Sequence, residues 1–144
     1  MADLTVKAVD IWIAVAGPTL NGTGPLVNLA MREKIPAFPG AYVLKKLRDK
    51  AVKELQRLNE TREDICKELA TKNEDGSYKM LKGGAYDIPD MDEFKGRFNV
   101  LLQSDVTLTG VRPIRAFELG SVEVSVDELD QLGPFLLDEP LEAA

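Results

Sequence analysis

Between Ala41 and Ala70 the apolar residues Leu44, Leu47, Ala51, Leu55, Leu58, Ile65 and Leu69 recur at intervals of three, four or, across Arg62, seven. Side chains at this spacing fall on one stripe of an α-helix, so the sequence predicts a single long helix with one face to cover. Every other element of the chain has to supply that cover. Arg62 interrupts the stripe itself; a charge in an apolar seam either snorkels out at its edge or meets a carboxylate from another element.

The flanking segments read as shorter pieces. Leu4 to Ala16 has helical spacing through Val6, Val9, Ile13 and Ala16, with Asp3 or Thr5 as cap and Gly17-Pro18 as stop. A second short helix is expected over Leu26 to Glu33, opened by Pro25 and ended by Pro36 and Pro39 around Phe38. Asn73-Glu74-Asp75-Gly76-Ser77 is a tight-turn signal, with Tyr78, Met80 and Leu81 on the returning strand. Asp90 and Glu93 form a capping box, in which each residue bonds a backbone amide near the other, and the helix they open presents Phe94, Phe98, Leu101 and Leu102.

Beyond Ser104 the period changes to two: Val106 and Leu108, then Val122 and Val124, alternate with polar residues as half-buried strands do. Gly110, Pro113 and Gly120-Ser121 separate these pieces, so a small antiparallel sheet is expected there. Ser125 and Glu128 make a second capping box, and Gly133-Pro134 ends the helix that carries Leu129 and Leu132. The expectation is an α+β fold, with a long central helix, two or three shorter ones and a small C-terminal sheet. With no repeat and no long linker, it forms one domain over 1–137 and a frayed acidic tail over 138–144.

The chain contains no histidine and one cysteine, Cys66. Histidine is the side chain that titrates nearest neutral pH, and His/Cys clusters build most zinc sites and many nucleophile–base pairs, so the commonest catalytic constellations are excluded. Asp87, Asp90, Asp92 and Glu93 lack the spacing of a calcium loop, and two of them have work in the capping box. Gly17, Gly22 and Gly24 fit neither a phosphate-gripping loop nor a dinucleotide fingerprint, although amides at Thr23-Gly24 offer a generic anion site. No catalytic residue, metal or cofactor is assigned, and the chain reads as a non-enzymatic binding protein.

A net charge of −6 is unevenly spread: Ala41 to Lys53 carries five basic residues against Asp49, whereas Ala116 to Ala144 carries eight acidic residues and no basic one. Overall acidity speaks against nucleic acid as a partner. For a small anionic ligand the candidate set is Tyr42, Lys46, Lys50 and Arg62, an aromatic face with basic donors along one helix. Trp12 either completes the core or, with Ile11 and Val15, forms an interface between protomers of a homo-oligomer. The lone cysteine, the lack of an opening signal segment and the shortness of the apolar run Ile11 to Ala16 lead us to expect a cytoplasmic protein without a membrane span.

Leu4-Thr5-Val6, Ala41-Tyr42-x-Leu44-x-Lys46, Asp75-Gly76-Ser77-Tyr78, Phe94 to Leu102, Val106-x-Leu108 and Ser125-x-x-x-Leu129-x-x-Leu132 together resemble small accessory proteins of tailed phages and prophages. The resemblance covers most of the chain and rests on core spacings and turns. It implies a phage-encoded protein acting in the host bacterial cytoplasm, where it sequesters or blocks a host component such as a defence protein or an anionic signal molecule. The alternative is a virion, tail or assembly component or an assembly chaperone.

Overall fold

A computed structural model describes residues 3–17, 22–30, 40–120 and 124–137. In chain order its elements are β1 (Leu4–Lys7), α1 (Ala8–Ala16), α2 (Pro25–Ala30), α3 (Tyr42–Leu69), α4 (Met91–Leu102), β2 (Asp105–Leu108), β3 (Ile114–Arg115), α5 (Val126–Leu132) and β4 (Leu136–Leu137). The class is α+β, and the long helix lies where the apolar stripe placed it. Where one body was expected over 1–137, the chain divides into two compact units. Unit 1 comprises Met1–Leu55 and Asp105–Ala144, and unit 2 is Gln56–Ser104, so one boundary falls inside α3. The expected frayed tail over 138–144, the helix end over 31–33, Pro36 to Pro39 and Val122 lie outside the described residues.

Unit 1 differs from expectation at its start. Leu4–Lys7 is a strand, not the first turn of a helix, and it pairs antiparallel with β2 in the register Leu4↔Leu108 to Lys7↔Asp105. Thr5, Val6, Thr107 and Val106 are β-branched, and the Thr5 and Thr107 hydroxyls bond each other at 2.9 Å across the ladder. Lys7 Nζ meets Asp105 Oδ1 at 3.1 Å at its end. The helix proper then begins at Ala8, with the Asp10 carboxylate accepting the Lys7 N–H at 3.0 Å. The second sheet also departs from the predicted antiparallel arrangement: β3 and β4 pair in parallel, Ile114↔Leu136 and Arg115↔Leu137.

Helix α1 is the centre of this unit. Ile11 and Trp12 are 0% and 2% exposed, and Ala8, Ala14, Val15 and Ala16 are also buried. α1 packs on α2, on α5 and on the 3-10 turn Gly133–Phe135, while α3 adds Leu44, Leu47 and Ala51 to the core. Trp12, Ile11 and Val15 therefore do not form a free interface between protomers; segments of the same chain cover them.

Gly24 makes that packing fit. Its N–H bonds Val15 O at 2.8 Å, and the chain lies so close to the end of α1 that a Cβ there would stand 2.5 Å from Ile13 O and nearer still to Ala14 O. This also removes the expected anion site at Thr23-Gly24, since the Gly24 amide is already bonded and α2 has only six residues.

Unit 2 is a helical pair joined by a small backbone clasp. The predicted turn forms: Asn73 N–H bonds Ser77 O at 2.7 Å, and Asp75 Oδ1 accepts both the Ser77 N–H and its hydroxyl. Thr71, Lys79 and Asp87 close a ring, each donating its N–H to the carbonyl of another (Thr71 to Asp87, Asp87 to Lys79, Lys79 to Thr71) at 2.8 to 3.0 Å. The 71–87 excursion thus starts and ends at one point. Asp90 caps α4 as expected by accepting the Glu93 N–H, but the Glu93 carboxylate takes Arg97 Nε at 2.9 Å, and Arg97 Nη1 holds Glu68 of α3 at 2.6 Å.

The core expected under α4 is thin. None of its residues is fully buried, Phe94, Phe98, Leu101 and Leu102 being only half-buried.

These observations set two glycines against each other. Gly24→Ala is expected to cost about 1–3 kcal/mol, because added volume has no room to relax against backbone. Gly96→Ala in α4, where a Cβ meets nothing within 4 Å, should instead stabilise by about 0.5–1 kcal/mol through backbone entropy. Thermal unfolding followed by circular dichroism measures both.

Candidate functional site

On α3, Tyr42, Lys46, Lys50 and Lys53 follow at intervals of four, four and three, which puts them on one stripe beside the buried stripe of Leu44, Leu47 and Ala51. In unit 1 a surface groove of about 440 Å³ is lined by Lys46, Asp49, Lys50 and Lys53 from α3 and by Thr109, Gly110 and Val111 after β2. The size lies within the range of roughly 300–1,000 Å³ usual for small-molecule sites. Gly110 shapes the second wall: its φ of +72° is a left-handed conformation that favours glycine, and its N–H is held by Asp3 Oδ1 at 3.1 Å.

The charges in this groove are not balanced. Among the described residues Asp49 is its only acidic lining residue, and both its oxygens are engaged, Oδ2 by Lys45 Nζ at 2.9 Å and Oδ1 by Arg48 Nη2 at 3.1 Å. Those hydrogen bonds, Lys45 first and then Arg48, hold the Asp49 carboxyl below the usual aspartate value. Among the described residues no carboxylate lies within ion-pair distance of Lys46, Lys50 or Lys53. The Lys46 ammonium instead sits 4.9 Å from the centre of the Tyr42 ring. The groove presents three ammonium groups that have no carboxylate partner among the described residues.

Of the predicted ligand set, the structure brings Lys46 and Lys50 together with Tyr42 beside them. Arg62 does not join them. It belongs to unit 2, is exposed, and holds its guanidinium 5.7 Å from the centre of the Phe98 ring, which is the snorkelling arrangement at the edge of the stripe. Lys53 was legible as a member of the basic run yet absent from the predicted set, and Thr109 to Val111 carried no sequence signal for a binding site. They are distant in sequence, and only the β1–β2 pairing brings the end of β2 to its place.

The acidic cluster does not assemble into a site. Asp90 caps α4, Glu93 pairs with Arg97, and Asp87 lies 3.7 Å from Lys79 Nζ. Among the described residues no group of three potential ligands gathers that would hold a metal. Cys66 is buried, and burial pushes its thiol above the ordinary cysteine value, which keeps it in the unreactive thiol form. In unit 2 the Tyr86 hydroxyl donates to Glu63, and that bond pushes its pKa up to about 12.

One buried charge in unit 1 was not foreseen. Glu118 is 4% exposed and receives Arg112 through both guanidinium nitrogens at 2.6 and 2.7 Å, with the Arg115 N–H at 2.9 Å. The Arg112 hydrogen bonds outweigh the desolvation of the carboxylate and hold it below its ordinary value of about 4.5.

No protein-family model, curated protein or solved structure matches this chain. No helix among the described residues is long and apolar enough to cross a membrane.

The lowered Glu118 value makes a pH prediction. Stability contributed by this pair is fully present above about pH 4.5 and is lost as pH falls through the lower folded value. Arg112→Met leaves a buried unpaired carboxylate and should cost about 3 kcal/mol at pH 7. On acidification the variant's Glu118 becomes neutral, so the gap to wild type should narrow below pH 4.5 in thermal melts recorded from pH 3 to 8.

Proposed function

We propose that this chain is a non-enzymatic binding protein that captures a small anionic ligand in the groove between α3 and the Thr109–Val111 segment. The observation that carries the reading is the stripe Lys46, Lys50 and Lys53, three ammonium groups on one wall without a carboxylate partner among the described residues. Like charges held side by side on a helix repel one another, and an arriving anion relieves that repulsion while forming charge-assisted hydrogen bonds. A phage accessory protein that removes an anionic signal molecule of its host needs a site of this kind and no catalytic group. The resemblance in sequence supplies that setting and the host cytoplasm as its place.

A second reading, a virion or assembly component, draws on unit 2. On α4, Val100 is 72% exposed and Met91 46%, and Phe94, Phe98, Leu101 and Leu102 are only half-buried, so the helix leaves apolar side chains partly in water. Self-association would then proceed through α4 and not through Ile11, Trp12 and Val15. Light scattering that detects only monomer at millimolar concentration removes this reading.

Titration of the protein with pyrophosphate tests the first. Backbone amide resonances of Lys46 to Lys53 and Thr109 to Val111 are expected to shift. Lys46→Ala and Lys50→Ala should each weaken binding by roughly tenfold, about 1.4 kcal/mol, toward the low end for hydrogen bonds to charged groups because these side chains are exposed. Arg62→Ala should leave the affinity unchanged and lower stability by less than about 1 kcal/mol, the usual worth of an exposed cation–ring contact. An Arg62 variant that weakens binding as much as Lys50→Ala contradicts the assignment.

A further inference from the structure

The basic wall of the groove is a line, not a point. With a rise of about 1.5 Å per residue, Lys46 and Lys50 are separated by about 6 Å along the helix axis and Lys50 and Lys53 by about 4.5 Å. A ligand with one anionic group engages one or two of these ammoniums and leaves the rest as unrelieved like charges. A ligand with several anionic groups in succession meets each lysine where it stands. The line is also short. The run Ala41–Lys53 carries +4 within a chain of −6, and three of its lysines line the groove.

Asp49, between Lys46 and Lys50 in the chain, has both carboxylate oxygens engaged by Lys45 and Arg48. Thr109, Gly110 and Val111 line the groove from the segment after β2.

From this geometry we infer that the ligand of the groove carries a compact polyphosphate, three or more phosphoryl groups in a chain, either free or attached to a nucleoside. The inference rests on the reading of the groove as an anion site and goes further in naming the number and arrangement of charges. It requires affinity to rise with the number of phosphoryl groups up to the length of the lysine line, and to stop rising for a long phosphodiester strand.

Isothermal titration of the full chain at fixed ionic strength with orthophosphate, pyrophosphate, tripolyphosphate, a nucleoside triphosphate and a ten-residue oligothymidylate decides it. Tripolyphosphate is expected to bind at least about tenfold more tightly than orthophosphate. The nucleoside triphosphate should fall within about threefold of tripolyphosphate if the phosphates alone are read, or bind more tightly if the nucleoside is read too. Lys53→Ala should weaken tripolyphosphate more than pyrophosphate and so narrow the ratio between them, and circular dichroism should show its fold intact because Lys53 is exposed. Equal affinity for orthophosphate and tripolyphosphate, with both weakened by Lys50→Ala, overturns the polyphosphate inference and leaves the anion site standing. No binding by any of the phosphates removes both. Oligothymidylate binding more tightly than tripolyphosphate overturns the compact ligand in favour of a nucleic-acid strand.

Discussion

Helix α1 imposes the strongest constraint on unit 1. Nine residues with Asp10 as their one charge present apolar side chains around most of the circumference, and six of the nine are buried. A helix apolar on nearly every side has to be enclosed by other elements. β1 leads into it, α2 and α5 flank it, and Phe135, fully buried, reaches it from the 3-10 turn after α5. The approach of the chain at Gly24 is part of the same enclosure, since a backbone without a Cβ can lie directly against the carbonyls of Ile13 and Ala14. The groove depends on this enclosure, because the β1–β2 ladder that starts at the base of α1 also sets where Thr109 to Val111 stand.

Two treatments of charge run through the molecule and separate structure from function. At Arg112–Glu118 a carboxylate taken out of water is given a bidentate guanidinium and a backbone amide, so nothing on it remains to be satisfied by a ligand. Along α3 the opposite holds. Lys45 and Arg48 satisfy Asp49, and the lysines on the neighbouring stripe are left facing the groove. A fully paired buried charge is a structural lock, whereas like charges on one wall of a concavity, without a carboxylate partner among the described residues, are the basis of the proposed ligand site. Unit 2 extends the contrast: Glu93, Arg97 and Glu68 pair with one another across its two helices, while its apolar residues stay half-covered.

Much of this architecture was legible in residue order because it depends on neighbours a few positions apart. The long helix followed from Leu44 to Leu69, the turn at Asn73 to Ser77 from Asp-Gly, the start of α5 from Ser125 and Glu128, and the common face of Lys46, Lys50 and Lys53 from helical spacing. The errors share one cause. Leu4 to Lys7 fits either a helix or a strand, and the partner that decides is β2, about a hundred residues away. Ile11, Trp12 and Val15 declared an excess of apolar surface, but whether a second copy or distant parts of the same chain would cover it depends on α2, α5 and Phe135.

By itself, then, the sequence determined most of the local conformations, the absence of histidine chemistry and the helical spacing of Lys46, Lys50 and Lys53, because propensity, capping and periodicity act over one or two turns of chain. Tertiary structure alone decided which apolar face became core, that Arg62 stands over Phe98 in unit 2 and not with Lys46 and Lys50, that Arg112 and Glu118 lock together, and that the lysines face a second wall at all. Each of these joins residues that no local period relates. Their meeting is set by which surfaces the chain must remove from water, and that choice is made by the whole of a folded unit at once.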